Sequence, residues 1–74
     1  MRNKIAVLRK GRFSQQELAD IVGISRPYMS DIERNVNDPT AALASRICKA
    51  LGESFERVFT DGPDEPREEV PANA

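Results

Sequence analysis

The residues of this sequence that could do chemistry are concentrated between positions 25 and 37. They are the hydroxyl, guanidinium, carboxylate and amide side chains Ser25, Arg26, Tyr28, Ser30, Asp31, Arg34 and Asn37. Such groups donate and accept hydrogen bonds, which suits recognition of a polar partner. Catalysis is not indicated, because the sequence has no histidine, no nucleophile beside a base, no paired carboxylates on one face and no glycine-rich phosphate loop.

Two short helices must position these side chains, and the sequence marks where each helix begins. Ser14 and Glu17 have the spacing of a capping box, which starts the first of the two helices. Gly23 supplies the permissive backbone that ends it, and Ser25 caps the next helix. Pro27 then falls in a first turn, where its missing N–H costs nothing. Two helices joined through a glycine-containing turn predict a helix-turn-helix.

The remaining pattern is also helical, with apolar residues three and four positions apart. A first helix is expected over roughly residues 2–10. A fourth helix is capped by Thr40 and closed by Gly52, and a short fifth helix is capped by Ser54. The positions expected to face inward on the first and fourth helices are Ile5, Leu8, Leu43, Ile47 and Leu51. The sequence therefore predicts a compact all-α domain of five helices.

Charge divides the chain into two parts, a domain over residues 1–60 and an acidic tail over residues 61–74. Residues 1–59 contain ten Lys/Arg and seven Asp/Glu, whereas the last fifteen residues contain one Arg and five acids. The tail is rich in proline and poor in apolar residues, so we expect it to be disordered. The first twelve residues hold five cations and no acid, which indicates either a solvated basic face or a phosphate-binding one.

The cellular setting follows from what the sequence lacks. It has no run of about 18 apolar residues and no recognisable signal peptide, so we expect a cytoplasmic protein with no membrane contact. Cys48 is the single cysteine, and it has no second thiol or histidine with which to form a disulfide or a zinc site. We expect Cys48 to be a small core residue rather than a redox sensor, and we expect no metal and no cofactor.

The stretch SQQELADIVGISRPYMSDIERNVNDPT resembles the DNA-binding domain of the Cro and phage-repressor family. The elements that match its pattern are Ser14-Gln15, Leu18-Ala19, Gly23, Ile24-Ser25, Ser30, Glu33 and Pro39. The similarity extends over about residues 3–60. It implies a repressor-like fold whose third helix enters the major groove of DNA.

The resemblance also implies which residues meet DNA. They are Gln15, Ser25, Arg26, Pro27, Tyr28, Ser30, Asp31, Arg34 and Asn37. Gln15 corresponds to a glutamine that contacts a backbone phosphate, and Arg26 to a residue that faces base edges. Asp31 either accepts from cytosine N4 or orients Arg26 or Arg34, and Tyr28 either stacks on the sugar-phosphate backbone or packs over the turn.

Glu33 and Arg9 resemble the internal salt bridge of the family, so we expect them to pair between the third and first helices. A DNA contact by Glu33 is disfavoured, because its carboxylate would repel phosphate.

We therefore predict a sequence-specific transcriptional regulator, a repressor that binds an inverted-repeat operator as a homodimer. A single recognition helix reads too few base pairs to select a site, so two copies are needed. We expect Val58 or Phe59 of the last helix at the dimer interface and Phe55 in the core. The alternative is an antitoxin or another protein-binding module whose acidic tail engages a partner protein.

Overall fold

Five α-helices form the regular structure of residues 2–60, the part of the chain that the computed structural model describes. They are α1 (Ile5–Arg9), α2 (Gln15–Val22), α3 (Arg26–Glu33), α4 (Ala41–Leu51) and α5 (Phe55–Val58). This order confirms the predicted all-α, five-helix architecture. The acidic tail predicted to be disordered, residues 61–74, lies outside the described residues.

Local side chains start four of the helices as the sequence predicts. The Ser14 hydroxyl accepts from the Glu17 N–H at 3.0 Å, and the Glu17 carboxylate accepts from the Ser14 N–H at 2.7 Å. This reciprocal pair satisfies two of the N–H groups that the first turn of a helix leaves without partners. Ser25, Thr40 and Ser54 cap α3, α4 and α5 by one half of this arrangement: the side-chain oxygen of each accepts from the N–H three residues ahead.

The core lies between α2 and the three helices that it contacts, α1, α3 and α4, and α5 closes it by packing on α4. The buried residues are Ile5, Leu18, Ala19, Val22, Met29, Ile32, Leu43, Ala44, Ile47, Cys48, Leu51, Val58 and Phe59. Cys48 is thus a core residue, as expected, and burial raises the pKa of its thiol. No helix within residues 2–60 is long and apolar enough to cross a bilayer.

The first helix is shorter than predicted, because residues 2–4 pair with the far end of the domain. Asn3 forms an isolated antiparallel bridge with Phe59. The Lys4 N–H donates to the Val58 carbonyl at 2.8 Å, and the Thr60 N–H donates to the Arg2 carbonyl at 3.0 Å. These bonds hold the backbone extended and delay the helix until Ile5. We call this pairing of residues 2–4 with residues 58–60 the terminal strap.

The structure places the large apolar residues in and just after α5 differently from the prediction. Val58 and Phe59 are 0% and 5% exposed, so both lie in the core of their own chain and offer little surface to a partner. Phe55, which was expected in the core, is 48% exposed. The cause is the backbone: α5 ends at Val58, and Phe59 is extended in the terminal strap, which turns its ring inward.

Candidate nucleic-acid interface

The turn between α2 and α3 fixes how α3 is presented. Gly23 is left-handed, with φ of 83°, and its N–H donates to the Ala19 carbonyl at 2.9 Å. The Ile24 N–H donates to the same carbonyl at 3.0 Å, so two peptide groups close the end of α2. A Cβ on Gly23 would meet no other atom within 4 Å. The glycine is therefore required by its backbone conformation and not by lack of space.

One face of α3 is anchored and the other is presented to solvent. Met29 and Ile32 are fully buried and fix the helix against the core. Residues four apart lie on the same side of a helix, so Arg26, Ser30 and Arg34 form one outward row. Arg26 and Arg34 are exposed and Ser30 is half-buried. The structure thus brings three of the residues predicted to meet DNA onto one accessible face.

The first turn of α3 combines a cap with a partly buried ring. The Ser25 hydroxyl oxygen accepts from the Tyr28 N–H at 3.2 Å, so Ser25 starts the helix and keeps its hydroxyl hydrogen for another acceptor. Tyr28 is half-buried and packs against the hydrophobic core. Pro27 is exposed and carries no polar side-chain atom.

The predicted salt bridge between α1 and α3 is present and bidentate. Arg9 Nε donates to Glu33 Oε2 at 2.8 Å, and Arg9 Nη2 donates to Glu33 Oε1 at 3.1 Å. The Arg9 and Glu33 side chains are 17% and 6% exposed. The hydrogen bond to Glu33 raises the pKa of Arg9 and outweighs the lowering effect of burial. Glu33 therefore pairs with Arg9 within the chain and joins α3 to α1, as expected.

Gln15 joins this pair from the start of α2. Its Nε2 donates to Glu33 Oε1 at 3.1 Å. A side-chain amide nitrogen carries two hydrogens, so one hydrogen remains for an acceptor outside the chain. Glu33 thus holds the Gln15 amide in a fixed orientation at the N-terminus of α2, where unpartnered backbone N–H groups favour an anion.

Donors from two elements meet on Asp31 at the far end of α3. Arg34 Nη2 donates to Asp31 Oδ1 at 2.7 Å, and Asn37 Nδ2 donates to Asp31 Oδ2 at 3.4 Å. Of the two partners proposed for Asp31 within the chain, the structure pairs it with Arg34. Asn37 is an additional partner, from the loop between α3 and α4.

The cationic side chains of the first twelve residues make different contacts. Arg9 is committed to Glu33, and the guanidinium of Arg12 lies 5.7 Å from the centre of the Phe13 ring. Arg2 and Lys10 are exposed. The surface available to phosphate at this end is therefore smaller than the count of five cations indicates.

Two positioning residues were missed by the sequence reasoning. Asn3 donates from Nδ2 to the Ile32 carbonyl at 2.8 Å and accepts at Oδ1 from the Ile5 N–H at 3.1 Å, which ties the start of α1 to the end of α3. Arg46 Nε, on α4, donates to the Val22 carbonyl at 3.1 Å, at the C-terminus of α2. A cation is favoured there by the helix dipole, but no local sequence signal announces a contact between residues so far apart.

Comparison with known proteins agrees with this geometry. A model of the helix-turn-helix family matches residues 5–58. YgzD of Bacillus subtilis, an uncharacterized HTH-type transcriptional regulator, is 38% identical over 60 residues, which cover 80% of this chain and 91% of YgzD. The transcriptional regulator ClgR of Mycobacterium tuberculosis is 39% identical over 59 residues, which cover 74% of this chain and 53% of ClgR. This chain thus spans about half the length of ClgR.

A solved structure is similar in fold as well. The N-terminal DNA-binding domain of SinR from Bacillus subtilis matches with a TM-score of 0.64 and 31% identity, covering 72% of this chain and 80% of that one. The chain belongs to the Cro/C1-type helix-turn-helix family of DNA-binding transcriptional regulators.

Proposed function

We propose that this regulator is a repressor that binds an inverted-repeat operator as a homodimer, with α3 in the major groove. The observation that carries the proposal is the division of α3 into two faces. Met29 and Ile32 are fully buried and hold the helix rigidly, while Arg26 stands exposed in the first turn. In a helix-turn-helix, residues at the N-terminal end of the recognition helix are the ones that reach base edges.

Arg26 is the principal base reader in this proposal. A guanidinium fits guanine O6 and N7 with two parallel hydrogen bonds, which is a strong and specific pairing. Pro27, beside it, contributes only apolar contact, and the methyl group of thymine is the base feature that such contact suits. Ser30, one turn further on, supplies a hydroxyl that can donate or accept.

Phosphate contacts flank the base reader on two sides. Gln15, oriented by Glu33, donates to a phosphate at the N-terminus of α2. Arg34 and Asn37 donate to a phosphate at the opposite end of α3. These contacts set the register of the protein on the duplex and carry no base information themselves.

Two substitutions separate these roles. Arg26→Ala should weaken the specific operator by about 1–3 kcal/mol and leave binding to random duplex nearly unchanged. Gln15→Ala should weaken both. Titrations of operator and random duplex at the same salt provide the comparison, and equal losses on both duplexes for Arg26→Ala would rule out base reading.

Dimerisation is proposed through Phe55 instead of Val58 or Phe59. Phe55 is about half exposed, and its ring lies 5.1 Å from that of Phe59, centre to centre. It borders a shallow groove of about 550 Å³ lined by Ala41, Ser45, Cys48, Lys49, Gly52 and Glu53. For the two α3 helices to enter successive major grooves, a two-fold axis at this face must place them about 34 Å apart, one turn of DNA.

Sedimentation tests the dimer directly. Phe55→Gln should shift the wild-type dimer to a monomer at micromolar concentration, or abolish pairing on operator DNA if the free protein is a monomer. Ile21→Gln is the matched control, because Ile21 is 55% exposed on α2, away from the groove. A wild-type protein that is a monomer when free, and that binds the operator as a single protomer, would contradict the dimer.

A further inference from the structure

The carboxylate of Asp31 has both oxygens engaged within the chain. Oδ1 accepts from Arg34 at 2.7 Å and Oδ2 accepts from Asn37 at 3.4 Å. The Asp31 side chain is 34% exposed and that of Arg34 is 64% exposed, so the cluster lies at the surface. Long side chains on a helix lean toward its N-terminus, which is how Arg34 meets a residue three positions earlier.

The main chain of Asp31 holds the same loop. Its carbonyl accepts from the Val36 N–H at 2.8 Å and from the Asn37 N–H at 3.3 Å. The chain reverses through Asn35, whose φ of 64° is left-handed. Backbone and side chain of one residue therefore bring Asn37, from the loop, beside Arg34, from the end of α3.

We propose that Asp31 is a positioning residue, which holds Arg34 and Asn37 together as a two-donor cradle for one backbone phosphate and reads no base. The inference rests on the proposed mode of DNA binding and assigns Asp31 a role within it. Arg34 has five N–H donors and Asn37 has two, so both keep donors for phosphate while they are bonded to Asp31.

Base reading by Asp31 is disfavoured by the same contacts. To accept from cytosine N4, the carboxylate would have to give up Arg34 or Asn37, and it would then lie among phosphates with less compensation of its charge. A carboxylate near DNA is tolerated when a cation remains bonded to it. The paired arrangement supplies that cation before DNA arrives.

Asp31 has two opposite effects on DNA affinity, and variants with and without Arg34 distinguish them. Ordering one long side chain in advance strengthens binding by a factor of about 2–10. The carboxylate charge itself weakens binding, but only modestly, because ordinary salt screens charges over about 8–10 Å. With Arg34 present the ordering effect is larger. Without Arg34 the repulsion is opposed only by the ordering of Asn37, whose bond to Asp31 is the longer of the two.

A double-mutant cycle on operator affinity tests this expectation. Asp31→Ala in the wild-type background should weaken binding about twofold to fivefold, which is the loss of ordering less the repulsion that the substitution relieves. In an Arg34→Ala background the same substitution should leave affinity unchanged or strengthen it. Asp20→Ala is the matched control for removing one acid, because Asp20 lies on α2 and its carboxylate accepts from Gln16, a neighbour on the same helix. It should have the same small effect in both backgrounds.

A base scan of the operator then separates positioning from reading. Asp31→Ala should shift affinity for operator and random duplex by a similar factor and leave base preference unchanged at every operator position. An equal effect of Asp31→Ala in both backgrounds, or loss of preference at a single base pair, would overturn the positioning role while Arg26 still reads its base. Absence of any preference for operator in the wild type would overturn the proposed function together with it.

Discussion

Glu33 offers the most direct test of how so small a domain is held together. Its carboxylate accepts from Arg9 and Gln15, and its side chain is 6% exposed. Glu33→Ala would leave the Arg9 guanidinium without its partner charge. Losing one member of a buried ion pair costs about 3–5 kcal/mol, and we expect about 3 kcal/mol because the 17%-exposed Arg9 side chain keeps some contact with water.

That loss is large relative to the stability of the domain. A domain of about 60 residues is stable by about 3–9 kcal/mol, so the variant should be close to unfolding. The melting temperature should fall by about 12–24 °C. Glu33→Gln keeps a carbonyl acceptor of similar shape and should cost only about 1–2 kcal/mol, which leaves a folded protein to measure.

The pair Glu53 and Arg57 is the control for an exposed ion pair of the same two residue types, four positions apart in the chain. Its nitrogen and oxygen are 2.9 Å apart, but its side chains are 26% and 62% exposed. Glu53→Ala should cost less than about 1 kcal/mol, because water screens an exposed pair. Urea unfolding followed by far-UV circular dichroism gives the free energy of unfolding of each variant. An equal loss in free energy of unfolding for Glu33→Ala and Glu53→Ala would refute the view that burial makes the Arg9–Glu33 pair the stronger one.

A cycle with Arg9 completes the test. If the two charges compensate each other, the double variant Arg9→Ala with Glu33→Ala should lose less stability than the sum of the single variants. The pKa of Arg9 is raised in the folded state, so the contribution of its charge is fully present below the ordinary pKa of arginine and is lost as the pH rises through the raised value, in strong alkali. Simple additivity of the two losses would mean that Arg9 and Glu33 act independently.

Three further outcomes are expected. Asn3→Ala should lower the free energy of unfolding by about 1–3 kcal/mol, because the Ile32 carbonyl loses a 2.8 Å hydrogen bond. An unchanged free energy of unfolding in urea would mean that Asn3 does not stabilise the fold. Burial raises the pKa of Cys48, so iodoacetamide should label it slowly until urea unfolds the chain, and rapid labelling of the native protein would contradict its burial. Deleting residues 61–74 removes five acids that could compete with phosphate for the basic N-terminal residues, so affinity for DNA should rise modestly at low salt with no change in melting temperature. An unchanged affinity at low ionic strength would count against that competition.

What the sequence determined was local. The helix starts at Ser14 and Ser25 are set by side chains that bond to N–H groups three residues away, so the information lies within one turn. The ends at Gly23 and Asn35 follow from backbone conformations that few residues tolerate. The pairing of Arg9 with Glu33 spans 24 positions, and resemblance to a known family predicted it where spacing could not.

Only the tertiary structure decided contacts between residues far apart in the chain. Phe55 and Phe59 are equally apolar, and the terminal strap determines that Phe59 turns inward while Phe55 stays about half exposed. The strap joins segments more than fifty residues apart through backbone groups, which every residue carries, so composition gives no signal for it. The partners of Asp31 were undecided for a related reason. A carboxylate suits a base, an arginine or an amide equally well, and the folded loop placed Arg34 and Asn37 beside it.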